Sequence, residues 1–307
     1  MGKPKIFIDG AEGTTGLQIR DRLAGRDDIA ILEIGDLQRK DTGERKKLLN
    51  KADLVFLCLP DAAAREAVSL IENEDTRVID ASTAHRTAPG WVYGFPELKK
   101  GHREKIANAR RVANPGCHAT GIIATVYPLI TTGIMPSDFP LTCFSLTGYS
   151  GGGKGMIRDY EEFKSLKMSA PRLYGLDLMH KHLPEIISVT GLTRKPLFCP
   201  VVDDYYCGIA ATVMLHNDML AGRPSAEEIR RSLSGYYEGE QFVKVAPELG
   251  RGMLESNWGA ETNELEITVS GNDELTIVTA RFDNLGKGAS GAAVQNMNIM
   301  LQLQEVT

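Results

Sequence analysis

The segment Lys5-Ile6-Phe7-Ile8-Asp9-Gly10-Ala11-Glu12-Gly13-Thr14-Thr15-Gly16 constrains the fold more than any other. Its first half is an apolar run of strand length and its second half a glycine turn; Leu17, Ile19 and Leu23 then recur at helical spacing. A buried strand that turns through glycines straight into an amphipathic helix opens a βαβ unit. Such a turn lets a pyrophosphate reach the helix N-terminus, which makes Gly10, Glu12, Gly13, Thr14, Thr15 and Gly16 the candidate cofactor-binding residues. The spacing is GxxGxxG rather than GxGxxG, so an ordinary βα turn is the competing reading.

Further strands follow. Residues 29–34 end where a ribose-binding residue is expected: an acid there holds the two hydroxyls of NAD, and a base accepts the 2′-phosphate of NADP. Glu33 and Asp36 offer the first, Arg39 and Lys40 the second, and position alone leaves both open. Residues 52–60 are nearly all apolar, as a strand covered on both faces should be, and 77–82 read as another strand. The second runs through Ser82 into Thr83-Ala84-His85-Arg86, a polar loop on the sheet edge that binds ligands in open α/β folds. Arg86 is a candidate anchor for a substrate anion, or else a surface ion pair. Residues 93–98 are turn-rich, 99–111 read as a basic, exposed stretch, and Arg111-Val112-Ala113 is a short strand. The repeated βα order predicts a doubly wound, Rossmann-like domain.

That strand leads into Asn114-Pro115-Gly116-Cys117-His118-Ala119-Thr120-Gly121, followed by an apolar helical stretch. A thiol placed directly after Pro-Gly, at a helix N-terminus, meets free backbone N–H groups and the positive end of the helix dipole, both of which favour the thiolate. Cys117 is therefore the candidate nucleophile and Asn114 a candidate substrate contact. The alternative is a small buried cysteine at a loop-to-helix junction.

At 307 residues the chain predicts two domains, and 42% hydrophobic with 24% charged residues is ordinary for a soluble globular protein. A formal net charge of -5 without a long basic cluster argues for a small-molecule partner rather than nucleic acid. The five cysteines are widely spaced with no CxxC pair, which fits reduced thiols of a cytoplasmic protein better than disulfides or zinc. No signal peptide and no membrane span is expected.

After the cysteine helix the pattern changes. Residues 141–147 alternate like a half-buried strand and enter Gly148-Tyr149-Ser150-Gly151-Gly152-Gly153-Lys154-Gly155. This cluster does not match a P-loop; it reads as a substrate loop, with Ser150 and Lys154 as candidate contacts, or as a linker. His180-Lys181-His182-Leu183-Pro184-Glu185 puts two imidazoles on one face if the segment is extended, as Pro184 favours. One of them suits acid–base work near neutral pH, with surface histidines or half a metal site as alternatives; no metal is expected. Strands recur at 197–202, 208–215, 265–269 and 275–280, and residues 224–236 predict a helix capped by Ser225. Few helices separate these strands, so an α+β catalytic domain with a mostly antiparallel sheet is expected over 117–284, and a Rossmann domain over 1–116 and 285–307. The small residues from Gly286 to Gly291 predict a closing helix that returns to the first domain and covers its cofactor cleft.

Taken together, GAEGTTG, YGFPEL, NPGC, GYSGGGK, HKHLPE and KGASGAAVQNMN resemble the N-acetyl-gamma-glutamyl-phosphate reductase family, within the clan of aspartate-semialdehyde and glyceraldehyde-3-phosphate dehydrogenases. Thr14-Thr15 in place of Tyr-Thr, and His118-Ala119-Thr120 in place of Tyr-Pro-Thr, resemble the smaller branch of that family. The resemblance implies NADP(H)-dependent reduction of N-acetyl-glutamyl phosphate to the semialdehyde in arginine biosynthesis, through a thioester on Cys117, by a homo-oligomer, dimer or tetramer. It implies His182 as acid–base group, with His180 as the other candidate and Glu185 orienting the pair. It also implies that Asn284 and Gly288 lie near the nicotinamide; Arg39 and Ser82 are further candidate cofactor contacts. Another acyl-phosphate reductase of the clan, such as aspartate-semialdehyde dehydrogenase, and a non-catalytic NADP-binding regulator are the rival readings.

Overall fold

The computed structural model describes residues 2–305, in two compact units. The first comprises residues up to Pro115 together with those from Ala289; the second is Gly116–Gly288. The chain thus rejoins the first unit at 289, four residues later than the sequence suggests.

In the first unit β1 (Lys5–Asp9), α1 (Thr14–Leu23), β2 (Ala30–Leu32), α2 (Thr42–Lys51), β3 (Leu54–Leu57), α3 (Asp61–Ser69), β4 (Arg77–Asp80), β5 (Val92–Tyr93), α4 (His102–Asn108) and β6 (Arg111–Ala113) build one sheet. Its order is β2-β1-β3-β4-β6-β5 and every pairing is parallel. Alternate residues of the same strands feed two cores. Ile6, Ile8, Phe56 and Ile79 pack with Ile19, Leu23, Ile106, Val294 and Met297, whereas Phe7, Val55, Leu57 and Val78 pack with Leu49 and Ala67. A sheet buried on both faces needs continuous apolar strands, which is why these runs do not alternate with polar residues.

Three expectations need correction here. β2 is three residues long, because 29 and 33–34 fall outside the ladder. The basic stretch 99–111 contains α4, whose His102 and Ile106 are buried; the lysines and arginines only coat its outer side. The closing helix, Gly291–Met300, is wholly buried and belongs to the first core. It does not line the cleft at the sheet's ligand edge, whose walls run from Ile8 to Glu66.

The second unit contains α5 (Cys117–Thr131), β7 (Thr142–Gly148), α6 (Gly153–Glu161), β8 (Arg172–Leu173), α7 (Leu183–Thr190), β9 (Leu197–Asp203), β10 (Ile209–His216), α8 (Ala226–Tyr236), β11 (Val243–Val245), β12 (Leu265–Gly271) and β13 (Leu275–Phe282). Its seven strands run β11-β12-β13-β10-β7-β9-β8; the β11–β12 and β7–β9 pairings are parallel and the others antiparallel. The glycine-rich segment is not a linker, because Gly153 begins α6. Ser225 caps α8 in a reciprocal box with Glu228, the local chemistry that makes this helix start readable. One sheet face is closed by α5 and α8, onto which Cys143, Val213 and Val278 turn. On the other, Phe144, Met214 and Ile277 remain 37%, 43% and 43% exposed.

Candidate active site

One candidate site, in the first unit, is the turn after β1. β1 is the strand from which the chain goes first to one side (β2) and then to the other (β3), so the crevice at its C-terminal end is the topological switch point. The fold itself demands two of the three glycines. A Cβ on Gly10, whose φ is +88°, would lie 2.4 Å from the Cys58 carbonyl oxygen, and one on Gly16 would lie 2.4 Å from the Gly10 carbonyl oxygen. Gly13 differs: its Cβ would meet nothing closer than 3.5 Å. Packing leaves that position open, and Gly13 is also the N-cap of α1, with no side-chain cap. An anion close to the backbone is what such an uncapped, bare helix start accommodates.

The turn opens into a cleft of about 780 Å³ that also includes Glu12, Glu33, Asp36, Arg39 and Lys40. Glu33 faces Arg20 at 3.3 Å, and Arg39 faces Glu12 at 3.8 Å. Beneath them Arg45 pairs with Asp9 at 2.9 Å, both buried. Ser82 is tied to Asp80, which also receives His85 Nδ1 at 2.6 Å. Arg86 directs Nε and Nη2 to the carbonyls of Asn114 and Ala81, so much of its donor fork holds loop backbone. Asn114 is buried and donates to the Ala289 carbonyl at 2.9 Å.

Another, in the second unit, is built around Cys117, the first residue of α5, half-buried behind a Gly116 cap that no side chain completes. Glu185, 2% exposed in the first turn of α7, accepts a hydrogen bond from the Gly116 backbone N–H at 3.1 Å. This contact clamps the loop that carries Cys117. Gly288 touches the nucleophile itself, since a Cβ there would lie 2.9 Å from Cys117 Cβ. Asn284 accepts from the Gly208 N–H at 2.7 Å and donates to Ser150 Oγ at 3.1 Å, locking Ser150 into the same floor. Lys154 is exposed near the start of α6.

His180 and His182 come together, with ring centroids 4.8 Å apart, although their segment is not extended. His182 is helical in φ and ψ and caps α7, because a proline in the first turn of a helix is tolerated. His180 Nδ1 accepts the His182 backbone N–H at 3.2 Å, so in the neutral ring the proton sits on Nε2. Burial pushes His180 down to about 4, with Lys181 adding to the shift and Asp177 opposing it.

Sequence reasoning missed three residues. His118 is 2% exposed, and its ring stands 5.5 Å from His180 and 5.7 Å from His182. Its Nδ1 meets Ser145 Oγ at 2.7 Å and its Nε2 meets Tyr174 Oη at 2.6 Å. Burial, then the charges of His180 and Lys181, push His118 down to about 3. Burial raises Tyr174 well above the ordinary phenol range, and the charge of Cys117 raises it further. The position of His118 directly after the cysteine was the one available signal; Ser145 and Tyr174 come from separate segments.

Residues 117–284 match the semialdehyde dehydrogenase dimerisation domain, and residues 29–109 the semialdehyde dehydrogenase NAD-binding domain. The chain is 51% identical to N-acetyl-gamma-glutamyl-phosphate reductase 2 of Nostoc sp., over 99% of both chains. It is 47% identical to the Pseudomonas putida protein of the same name, over 98% of both. Among solved structures, aspartate semialdehyde dehydrogenase II from Vibrio cholerae shares the fold with a TM-score of 0.72 at 14% identity, over 98% of this chain and 99% of that one. The Candida albicans aspartate semialdehyde dehydrogenase with NADP has a TM-score of 0.67 at 15% identity, over 99% and 100%. No helix among the described residues is long and apolar enough to cross a membrane, and no group of three or more His, Cys, Asp or Glu among them could hold a metal ion.

Proposed function

The chain belongs to the N-acetyl-gamma-glutamyl-phosphate reductase family, and we propose that it reduces N-acetyl-glutamyl 5-phosphate to N-acetyl-glutamate 5-semialdehyde with release of phosphate, in the cytoplasmic synthesis of arginine. The observation that carries this reading is the placement of Cys117 at an uncapped helix start, clamped by Glu185, in the unit that also brings His180 and His182 together.

Cys117 Sγ attacks the acyl carbon; the C–S bond forms, the carbon–oxygen bond to the phosphoryl group breaks, and phosphate leaves. When bound, the nicotinamide supplies a hydride to the acyl carbon on Cys117. His182 gives a proton to the resulting oxyanion and takes it back as the C–S bond breaks and the aldehyde departs. His180 serves the pair as the neutral member, since burial and the bond from the His182 N–H both oppose its protonation. The bare Gly13 start of α1 suits the cofactor pyrophosphate. Arg39 and Lys40 at the cleft mouth suit a 2′-phosphate, and Glu33 is engaged by Arg20; these features favour NADPH over NADH. Lys154, exposed near the start of α6, is left to meet a substrate anion.

The open sheet face carrying Phe144, Met214 and Ile277 suits a second copy of the chain, hence a homo-oligomer with the dimer as its unit. The test of the chemistry is phosphate-dependent oxidation of N-acetyl-glutamate semialdehyde. Cys117→Ser should abolish it, and iodoacetamide should label Cys117 far faster than buried Cys143. Retained turnover in that variant would remove the nucleophile from the scheme.

A further inference from the structure

The hydrogen bonds around His118 carry a consequence for the reaction, given Cys117 as nucleophile. A neutral imidazole has one donor and one acceptor nitrogen, so His118 can sit between Ser145 and Tyr174 in only two ways. In one, Nδ1–H donates to Ser145 Oγ and Tyr174 donates to Nε2. The hydroxyl proton of Ser145 then has no acceptor, because Ser145 is 0% exposed and His118 is its only side-chain hydrogen-bond partner among the described residues. In the other, Ser145 donates to Nδ1, and Nε2–H donates to Tyr174 Oη. Every donor of the buried pair is then used, and the one proton left over is that of the half-buried Tyr174. Leaving a buried donor unmade costs more than an average hydrogen bond gains, so the second arrangement prevails.

Tyr174 Oη has no hydrogen-bond partner other than His118 Nε2 among the described residues, so it is not bonded to the sulfur. Its partner His118 directly follows Cys117 in the chain, which keeps the Tyr174 hydroxyl beside the start of α5.

We propose that Tyr174 is a further catalytic residue: its hydroxyl, turned outward by the Ser145–His118 pair, donates a hydrogen bond to the oxygen of the acyl group carried on Cys117. That oxygen becomes an oxyanion when sulfur or hydride adds to the carbon, and a donor already aimed at it needs no reorganisation at that moment. Tyr174 keeps its proton throughout; the proton that moves belongs to His182. His118 and Ser145 are positioning residues, holding the donor in one orientation.

Two measurements on the full-length enzyme decide the matter. Tyr174→Phe keeps the ring and should lower kcat on the order of 10²–10³-fold with little change in KM, while iodoacetamide still labels Cys117. Ring-15N labelling of the six histidines, with His118→Gln to assign the signal, should find His118 protonated at Nε2 and bare at Nδ1 through neutral pH. Wild-type kcat in Tyr174→Phe, or a proton on Nδ1 of His118, overturns the proposal. A fully active Tyr174→Phe beside an inactive Cys117→Ser would refute it while leaving the nucleophile intact.

Discussion

Replacing Gly288 by alanine tests whether the nucleophile is held as tightly as the structure implies. The new Cβ would stand 2.9 Å from Cys117 Cβ, 3.3 Å from its Cα and 3.3 Å from the Asp283 carbonyl oxygen. Carbon atoms rest about 3.5–4.0 Å apart, so relief requires a shift of nearly 1 Å. Asp283 cannot easily give way, because its carbonyl accepts the Gly288 N–H and its carboxylate accepts the N–H groups of Glu261 and Leu285. The displacement therefore falls on the first turn of α5. Overpacking of this kind costs about 1–3 kcal/mol, which should lower Tm by several degrees in a unit of this size. A misplacement near 1 Å at the reacting atom should lower kcat about 10²-fold. Gly155→Ala is the control: nothing lies within 4 Å of its Cβ and it sits in α6, so stability should hold or rise. The assays are phosphate-dependent aldehyde oxidation, thermal unfolding and the iodoacetamide rate at Cys117. Unchanged kcat in Gly288→Ala would refute the idea that sulfur and glycine are packed in contact.

Stability should fall with acid in a defined window. His118 and His180 are pushed down to about 3 and about 4, so the unfolded chain binds protons that the folded chain refuses; stability is lost as pH drops below about 6.5 towards 4. Urea titrations across that range should show the loss, and His118→Gln should flatten it; an equal slope in the variant would contradict the buried neutral ring. At the cleft, Arg39→Ala should raise KM for NADPH about tenfold and leave KM for NADH unchanged, since one charge-assisted phosphate contact contributes roughly 1.5 kcal/mol; equal effects on both cofactors would exclude a 2′-phosphate contact there.

Much of this molecule is written locally. The β1 turn, the apolar strands β3 and β4, the Pro-Gly-Cys helix start and the Ser225–Glu228 box each lie within a dozen residues, and periodicity or capping chemistry exposes them. The errors have equally local causes. Glycines hid α6, surface lysines hid the buried side of α4, and the rule for residues before proline gave way to its tolerance in a first helical turn at Pro184. The network around His118 was hidden for another reason: Ser145 and Tyr174 lie 27 and 56 residues from His118, and only the folded sheet joins them.

The two ends of the inserted unit carry a last consequence. Cys117 and Gly288 touch, so residues 116–288 begin and end at one spot. Asn114 and Ala289 share a hydrogen bond, so the gap in the first unit is equally narrow. A few residues of linker would close that unit without its insert, and the insert could be circularised or given new termini elsewhere. The chain passes between its two units at residues 115–116 and 288–289, right beside the sulfur that must not move.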